Sequence, residues 1–233
     1  MGRPAREAPG GLVYHVLNRG VGRRTLFEKP DDYLALERII DETLRSRPMR
    51  ICAYCLMPNH WHLALWPEHD GDLSAFMQQM TNTHVKRWKQ HFHETGYGHL
   101  YQGRFKSFPV QTDDYFYQVV RYVERNALRA NLVRKAQDWP WSSLRRRCGN
   151  DDSLPMLSKA ILGDWPLPRP SDWSSIVNTP QTETELGALR RCVNRGCPLG
   201  DSDWIIKTAN ELGLNSTLRQ RGRPKKEPPS PLS

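Results

Sequence analysis

The first apolar run, Leu12-Val-Tyr-His-Val-Leu-Asn18, is short and rich in β-branched and aromatic residues, and Arg19-Gly20 closes it; it reads as a strand. A helical period follows. Leu34, Leu36, Ile39, Ile40 and Leu44 recur every three to four residues, predicting a helix to about Ser46 that Asp31 or Asp32 can cap, with Pro30 near its start. Met49 to Met57 and His60 to Trp66 read as two strands, and Pro58-Asn59 between them predicts a hairpin. A long helix from Asp72 to Glu94 carries Leu73, Phe76, Met77, Met80, Val85, Trp88 and Phe92 on its apolar side, and Gly96 and Gly98 end it. Phe105 to Gln111 is a further strand. Thr112-Asp113-Asp114 then caps a helix continuing to about Asn126.

Strand, helix, strand, strand, helix, strand is the order of an α+β fold: a small antiparallel sheet with helices on one face. These elements occupy residues 1–150, read as one domain. From about Asp151 the composition shifts to Pro, Ser and Trp without clear periodicity, and short helices follow near Glu183 to Asn194 and Ser202 to Leu212. Residues 151–216 therefore read as a small, mostly helical DNA-binding or accessory region, and 217–233 as a disordered basic tail.

Charge narrows the partner. Lys and Arg number 34 against 25 acidic residues, a formal net charge of +9. Such a balance favours a polyanion, because each cation that meets a phosphate releases condensed counterions. Eight Trp, eight Tyr and six Phe argue for a folded core. Five cysteines, an odd number, with no apolar segment in Met1 to Gly10, point to a reducing cytoplasm. No run approaches the roughly 18 apolar residues of a membrane span. Cys52 and Cys55 lie at an odd offset in a strand, which puts them on opposite faces and speaks against a zinc site.

Two pairs of residues could do chemistry. His60 and His62 stand at i and i+2 of a strand, so both imidazoles face one side while Trp61 faces the other. They form half of a divalent-metal site or make ordinary hydrogen bonds; the spacing does not choose. Tyr122 and Asn126 stand one helical turn apart. A tyrosine hydroxyl can attack a phosphodiester when a cation offsets the developing charge, and an amide oxygen one turn away can complete a metal shell. Spacing alone does not separate Tyr122 from Tyr115 and Tyr117.

The run Met57-Pro-Asn-His-Trp-His-Leu63, followed downstream by Arg121-Tyr-Val-Glu-Arg-Asn-Ala-Leu-Arg-Ala130, resembles the single-tyrosine HUH transposases. Within them it is most similar to the branch associated with repetitive extragenic palindromes. Asn18-Arg-Gly20, Tyr101-Gln-Gly-Arg-Phe105 and Asp138-Trp-Pro-Trp-Ser-Ser143 match the same pattern, so the resemblance spans roughly Gly11 to Leu144. It implies a ferredoxin-like sheet and a catalytic domain over 1–150. His60, His62 and Asn126 would be ligands to Mg²⁺ or Mn²⁺, and Tyr122 the nucleophile, since it opens the Tyr-x-x-x-Asn signature. The implied activity is cleavage and rejoining of hairpin-forming single-stranded DNA through a 5′-phosphotyrosine, beside the bacterial nucleoid. Ala127 departs from the pattern, which usually has Pro there. The alternative is a DNA-binding regulator on the same scaffold that no longer cuts, although binding alone needs neither the histidines nor Tyr122.

Candidate phosphate contacts are Arg19, Arg23 and Arg24 after the first strand, Lys86, Arg87 and Lys89 on the long helix, and Arg104 with Lys106. Trp88 and Tyr101 are interleaved aromatics. In the tail, Arg221, Arg223, Lys225 and Lys226 surround a Gly-Arg-Pro turn resembling the core of an AT-hook, a binder of duplex minor grooves.

Overall fold

The computed structural model describes residues 8–148 and 162–219. Four strands, β1 (Val13–Arg19), β2 (Arg50–Met57), β3 (His60–Trp66) and β4 (Lys106–Val110), pair antiparallel in the order β2-β3-β1-β4. Helices α1 (Pro30–Ser46) and α2 (Asp72–His91) complete the ferredoxin-like arrangement read from the element order. Pro30 opens α1 at the position where its missing N–H costs nothing, and the Asp32 carboxylate accepts from the backbone N–H groups of Glu28 and Lys29.

Alternation along the strands sorts the core into two layers. On one face Tyr14, Val16, Tyr54, Leu56, Trp61, Leu63 and Leu65 meet Leu36, Ile39 and Ile40 of α1 and Leu73, Phe76, Met77 and Met80 of α2. The other face is covered as well, which the sequence reading did not foresee. Val13, Ala53, Cys55, Ala64, Phe108 and Val110 pack against Phe116, Val119, Val120 and Val123 of α3 (Asp114–Glu124). Those four residues recur at helical spacing, so α3 has an apolar side, but nothing in the chain order says which face of the sheet receives it.

The C-terminal region belongs to this second layer rather than standing apart as a small accessory unit. Trp173, Val177, Leu186, Leu189, Cys192 and Leu199 lie in the same apolar cluster as α3. Leu199 also pairs in parallel with Val110 on the β4 edge. The helices foreseen there run Glu183–Arg195 and Ser202–Glu211.

One expectation fails through a β-bulge. Ile51 pairs with Leu65 and Ala53 with Ala64, leaving Cys52 as the extra residue. Cys52 and Cys55 consequently both join the second layer instead of facing opposite sides. The outer edge of β2 is closed by the Trp-Pro-Trp segment. Leu56 N–H donates to the Trp141 carbonyl, Trp139 Nε1 to the Leu56 carbonyl, and Ser143 Oγ, at the start of α5 (Ser143–Cys148), accepts from Tyr54 N–H. This covering removes an exposed strand edge.

Candidate active site

The antiparallel register places β3 beside β1, and His60 and His62 on the face that α3 covers. Their rings stand edge to face with centroids 5.1 Å apart. His60 Nδ1 and Asn59 Oδ1 are 2.6 Å apart, which leaves the far nitrogen of His60 for another partner. His62 is held by a residue that sequence reasoning passed over. His15, on β1, brings its Nε2 to 2.9 Å from His62 Nδ1, with the two rings stacked at 5.0 Å and almost parallel.

Tyr122 closes the group from above. Its ring lies edge-on to both His62, at 5.8 Å between centroids, and His15, at 5.9 Å. The other two tyrosines of the helix are elsewhere. Tyr117 donates its hydroxyl to the Pro168 carbonyl at 2.6 Å, and its ring packs by Trp165 and Trp173. Tyr115, at the start of α3, packs against the apolar second layer.

Asn126 follows at the first residue of α4 (Asn126–Arg129), joined to α3 through Arg125, whose backbone is still helical. Helical hydrogen bonds continue from Arg125 N–H to the Arg121 carbonyl and from Ala130 N–H to the Asn126 carbonyl. The one-turn relation between Tyr122 and Asn126 therefore survives. Ala127, where the resembling family usually has Pro, is buried, and its N–H faces the Cys55 sulfur. A second residue absent from the sequence reading appears here. Arg129 lays its guanidinium carbon 4.1 Å from the centre of the Tyr122 ring and donates from Nη2 to Asn126 Oδ1 at 3.0 Å.

Electrostatics keep the imidazoles neutral. Burial pushes His15 down to about 3, with the Arg129 charge adding to it. Burial also takes His60 to about 4, with Arg19 and Arg129 contributing. His62 falls well below the ordinary range for the same reason, reinforced by its two histidine neighbours. Neutral imidazoles are the form that binds a metal. Among the described residues no three His, Cys, Asp or Glu side chains are arranged to hold a metal ion together, His15 turning its Nε2 to His62, so His60 and His62 would need a donor of another type.

Several candidate phosphate contacts are already engaged within the protein. Arg24 pairs with Glu94 and sits over the Trp88 ring. Arg87 makes a two-pronged pair with Glu42 at 2.7 and 3.0 Å. Lys89 donates to the carbonyls of Tyr97 and Gly98. Lys86, Arg104 and Lys106 are exposed, as is Arg23 on the loop after β1. Arg19 lies opposite His60 in the register. Lys89 and Arg104 line a cavity of about 790 Å³ beside α2. Tyr101 is no stacking platform, since its hydroxyl is buried between Trp61 Nε1 and His84; Trp88 is buried too, donating to the Leu26 carbonyl. Arg221, Arg223, Lys225 and Lys226 lie outside the described residues.

A family model described as transposase IS200 like matches residues 10–126, half of the chain and the stretch that carries His15, His60, His62, Tyr122 and Asn126. The chain belongs to the IS200-like transposase family. Among its relatives is the REP-associated tyrosine transposase of Escherichia coli K12, 28% identical over 139 residues, or 59% of this chain and 78% of the relative. A putative REP-associated tyrosine transposase of Haemophilus influenzae is 25% identical over 116 residues, 45% of this chain and 64% of the relative. A solved structure of a REP-associated tyrosine transposase bound to a REP hairpin is similar over 63% of this IS200-like chain and 84% of its own, with a TM-score of 0.50 and 26% identity. No helix of this transposase-family chain is long and apolar enough to cross a membrane, among the described residues.

Proposed function

We propose that this chain is a divalent-metal-dependent transposase that cuts and rejoins single-stranded DNA through Tyr122. The observation that carries the reading is the packing of the Tyr122 ring against His62 and His15, with Asn126 one turn further on. The substrate is a hairpin-forming strand, in keeping with the REP hairpin in the similar solved structure.

The donor chemistry fits Mg²⁺ or Mn²⁺. His60 is turned by Asn59, and His62 by His15, so that each uses one nitrogen for orientation and keeps the other for a ligand. This assigns His62 Nδ1–H as donor to His15 Nε2. The proton of His15 then sits on Nδ1, which has no hydrogen-bond partner although buried. Leaving such a donor unpaired costs about 1–3 kcal/mol, the mark of a group placed for something other than stability. Asn126 would supply the oxygen donor.

A bound divalent cation would supply Lewis-acid polarisation of the scissile phosphate. The chain's own residues do the rest. His60 and His62 hold their imidazoles neutral, Tyr122 attacks the phosphorus in line, and the bond cut is to the 3′-oxygen. That oxygen leaves as a hydroxyl and the phosphate stays on Tyr122 as a 5′-phosphotyrosine. A free 3′-OH can then reverse the step, joining strands without an external energy source. Arg19 and Arg129, flanking the histidines, are placed to meet phosphate charge.

The test uses 3′-labelled hairpin DNA with and without Mn²⁺, resolved under denaturing conditions. A labelled band at protein size that needs metal and disappears in Tyr122→Phe is expected. Cleavage without such a band would point to a water-using nuclease, and tight binding without cleavage to a regulator.

A further inference from the structure

Asn126 turns its side-chain oxygen to Arg129 in the arrangement it adopts. Its side-chain oxygen accepts from Arg129 Nη2 at 3.0 Å, while its Nδ2 is buried with no hydrogen-bond partner. Exchanging the amide nitrogen and oxygen would set two donors face to face, so Arg129 fixes which atom is turned away. A hard divalent cation takes the oxygen and not the NH₂ group. The same guanidinium lies 4.1 Å from the Tyr122 ring centre, and its charge bears on His15, His60 and His62 alike.

We propose that Arg129 and the divalent cation compete for the Asn126 oxygen, so that loading the site frees the guanidinium beside the nucleophile to clamp the scissile phosphate. The inference rests on His60, His62 and Asn126 being the metal site. Without metal, Arg129 occupies the oxygen and brings one positive charge to three neutral imidazoles. With metal and DNA, a planar fork of donors next to Tyr122 is suited to two oxygens of one phosphate. Arg129 is then catalytic through the phosphate and inhibitory toward the metal. A merely structural arginine would not have opposite effects on the two.

The experiment measures Mn²⁺ binding to the full chain by the loss of the free-ion paramagnetic resonance signal, and separately single-turnover cleavage of a hairpin strand at saturating Mn²⁺. Arg129→Met keeps the aliphatic length and removes the competitor; Arg129→Gln serves as a second variant, and melting curves check that each is folded. Mn²⁺ should bind about tenfold more tightly to Arg129→Met, the size set by releasing one charge-assisted hydrogen bond. Cleavage should fall about a hundredfold or more. In the Asn126→Ala background the gain in affinity from Arg129→Met should shrink by at least about threefold, because the contested oxygen is gone. An equal gain in both backgrounds would mean simple charge repulsion and would overturn the competition, as would no gain at all. If His60→Ala binds Mn²⁺ as well as the unaltered chain, the metal site itself is wrong. If His60→Ala loses binding while Arg129→Met leaves it unchanged, only the competition fails.

Discussion

Replacing His15 separates what orients the site from what holds the fold together. His15→Leu puts a side chain of similar bulk against Phe108 and Tyr122 and removes the nitrogen that meets His62 Nδ1 at 2.9 Å. In the folded protein two polar changes oppose each other. His62 loses its partner, while the unpartnered His15 Nδ1 disappears with the imidazole. Each orphaned buried group costs about 1–3 kcal/mol, so stability should move by roughly 1 kcal/mol or less. Metal affinity has no such offset. Removing the partner that orients a ligating histidine typically weakens binding about 10–100-fold, or roughly 1.4–2.8 kcal/mol. Mn²⁺ titration and thermal unfolding of the same sample read the two quantities. His15→Gln, whose amide reaches the position of the lost Nε2, should recover part of the affinity. Mn²⁺ affinity within twofold of the original in His15→Leu would refute the reasoning.

Three further outcomes follow from buried polar groups. His84, whose Nδ1 lies 2.6 Å from the Tyr101 hydroxyl, is held down to about 4 by burial. The unfolded chain takes up this proton below about 6.5, so His84 alone should lower stability by up to about 3 kcal/mol as pH drops from 6.5 to 4; His84→Gln should reduce the slope of a stability–pH curve by that share, the remainder coming from His15, His60 and His62. Arg146→Met should destabilise by about 3–5 kcal/mol in urea, since it strands the Glu37 carboxylate that Arg146 grips at 2.8 and 3.0 Å with Tyr54 alongside. Trp173→Phe keeps most of the ring but deletes the Nε1–H that meets the buried Glu124 carboxylate at 2.6 Å, so a cost of about 1–3 kcal/mol is expected by the same method.

Most of the fold was legible because periodicity and turn residues act locally. The strand boundaries shift by a residue or two, and His60 to Trp66 is unchanged. What escaped depends on pairing between distant segments. His15 sits in an ordinary apolar run, and only the register with β3 sets it against Ala64, diagonal to His62. Arg129 is inside the quoted Arg121–Ala130 run, yet only the turn after Asn126 brings it over Tyr122. The ion pairs of two candidate cations escaped for the same reason: Glu94 and Glu42 are neighbours of Arg24 and Arg87 in space, not in sequence. Helix phase separates two of the three tyrosines. Tyr117 points to Pro168, whereas Tyr115 shares the rough phase of Tyr122 but starts two turns, or about 10 Å, away along the axis.

The orientation of Tyr122 also depends on a part of the chain beyond the family match, which stops at Asn126. Arg121 donates to the carbonyls of Thr179 and Pro180 at 2.7 and 2.8 Å, and Arg125 to that of Val177 at 2.9 Å. Gln181 donates to the Gln118 carbonyl, and Trp173 to Glu124. Together with the Tyr117–Pro168 bond, these contacts hold α3 through Tyr117, Arg121, Glu124 and Arg125, while Val119, Val120 and Val123 pack in the apolar layer against the sheet. A helix gripped on both sides has little freedom to rotate, and a rotation of one residue, about 100°, would carry Tyr122 off the histidines. The C-terminal helices are therefore part of what positions the candidate nucleophile, and charged side chains that a composition count would assign to DNA, Arg121 and Arg125, are spent fixing its direction.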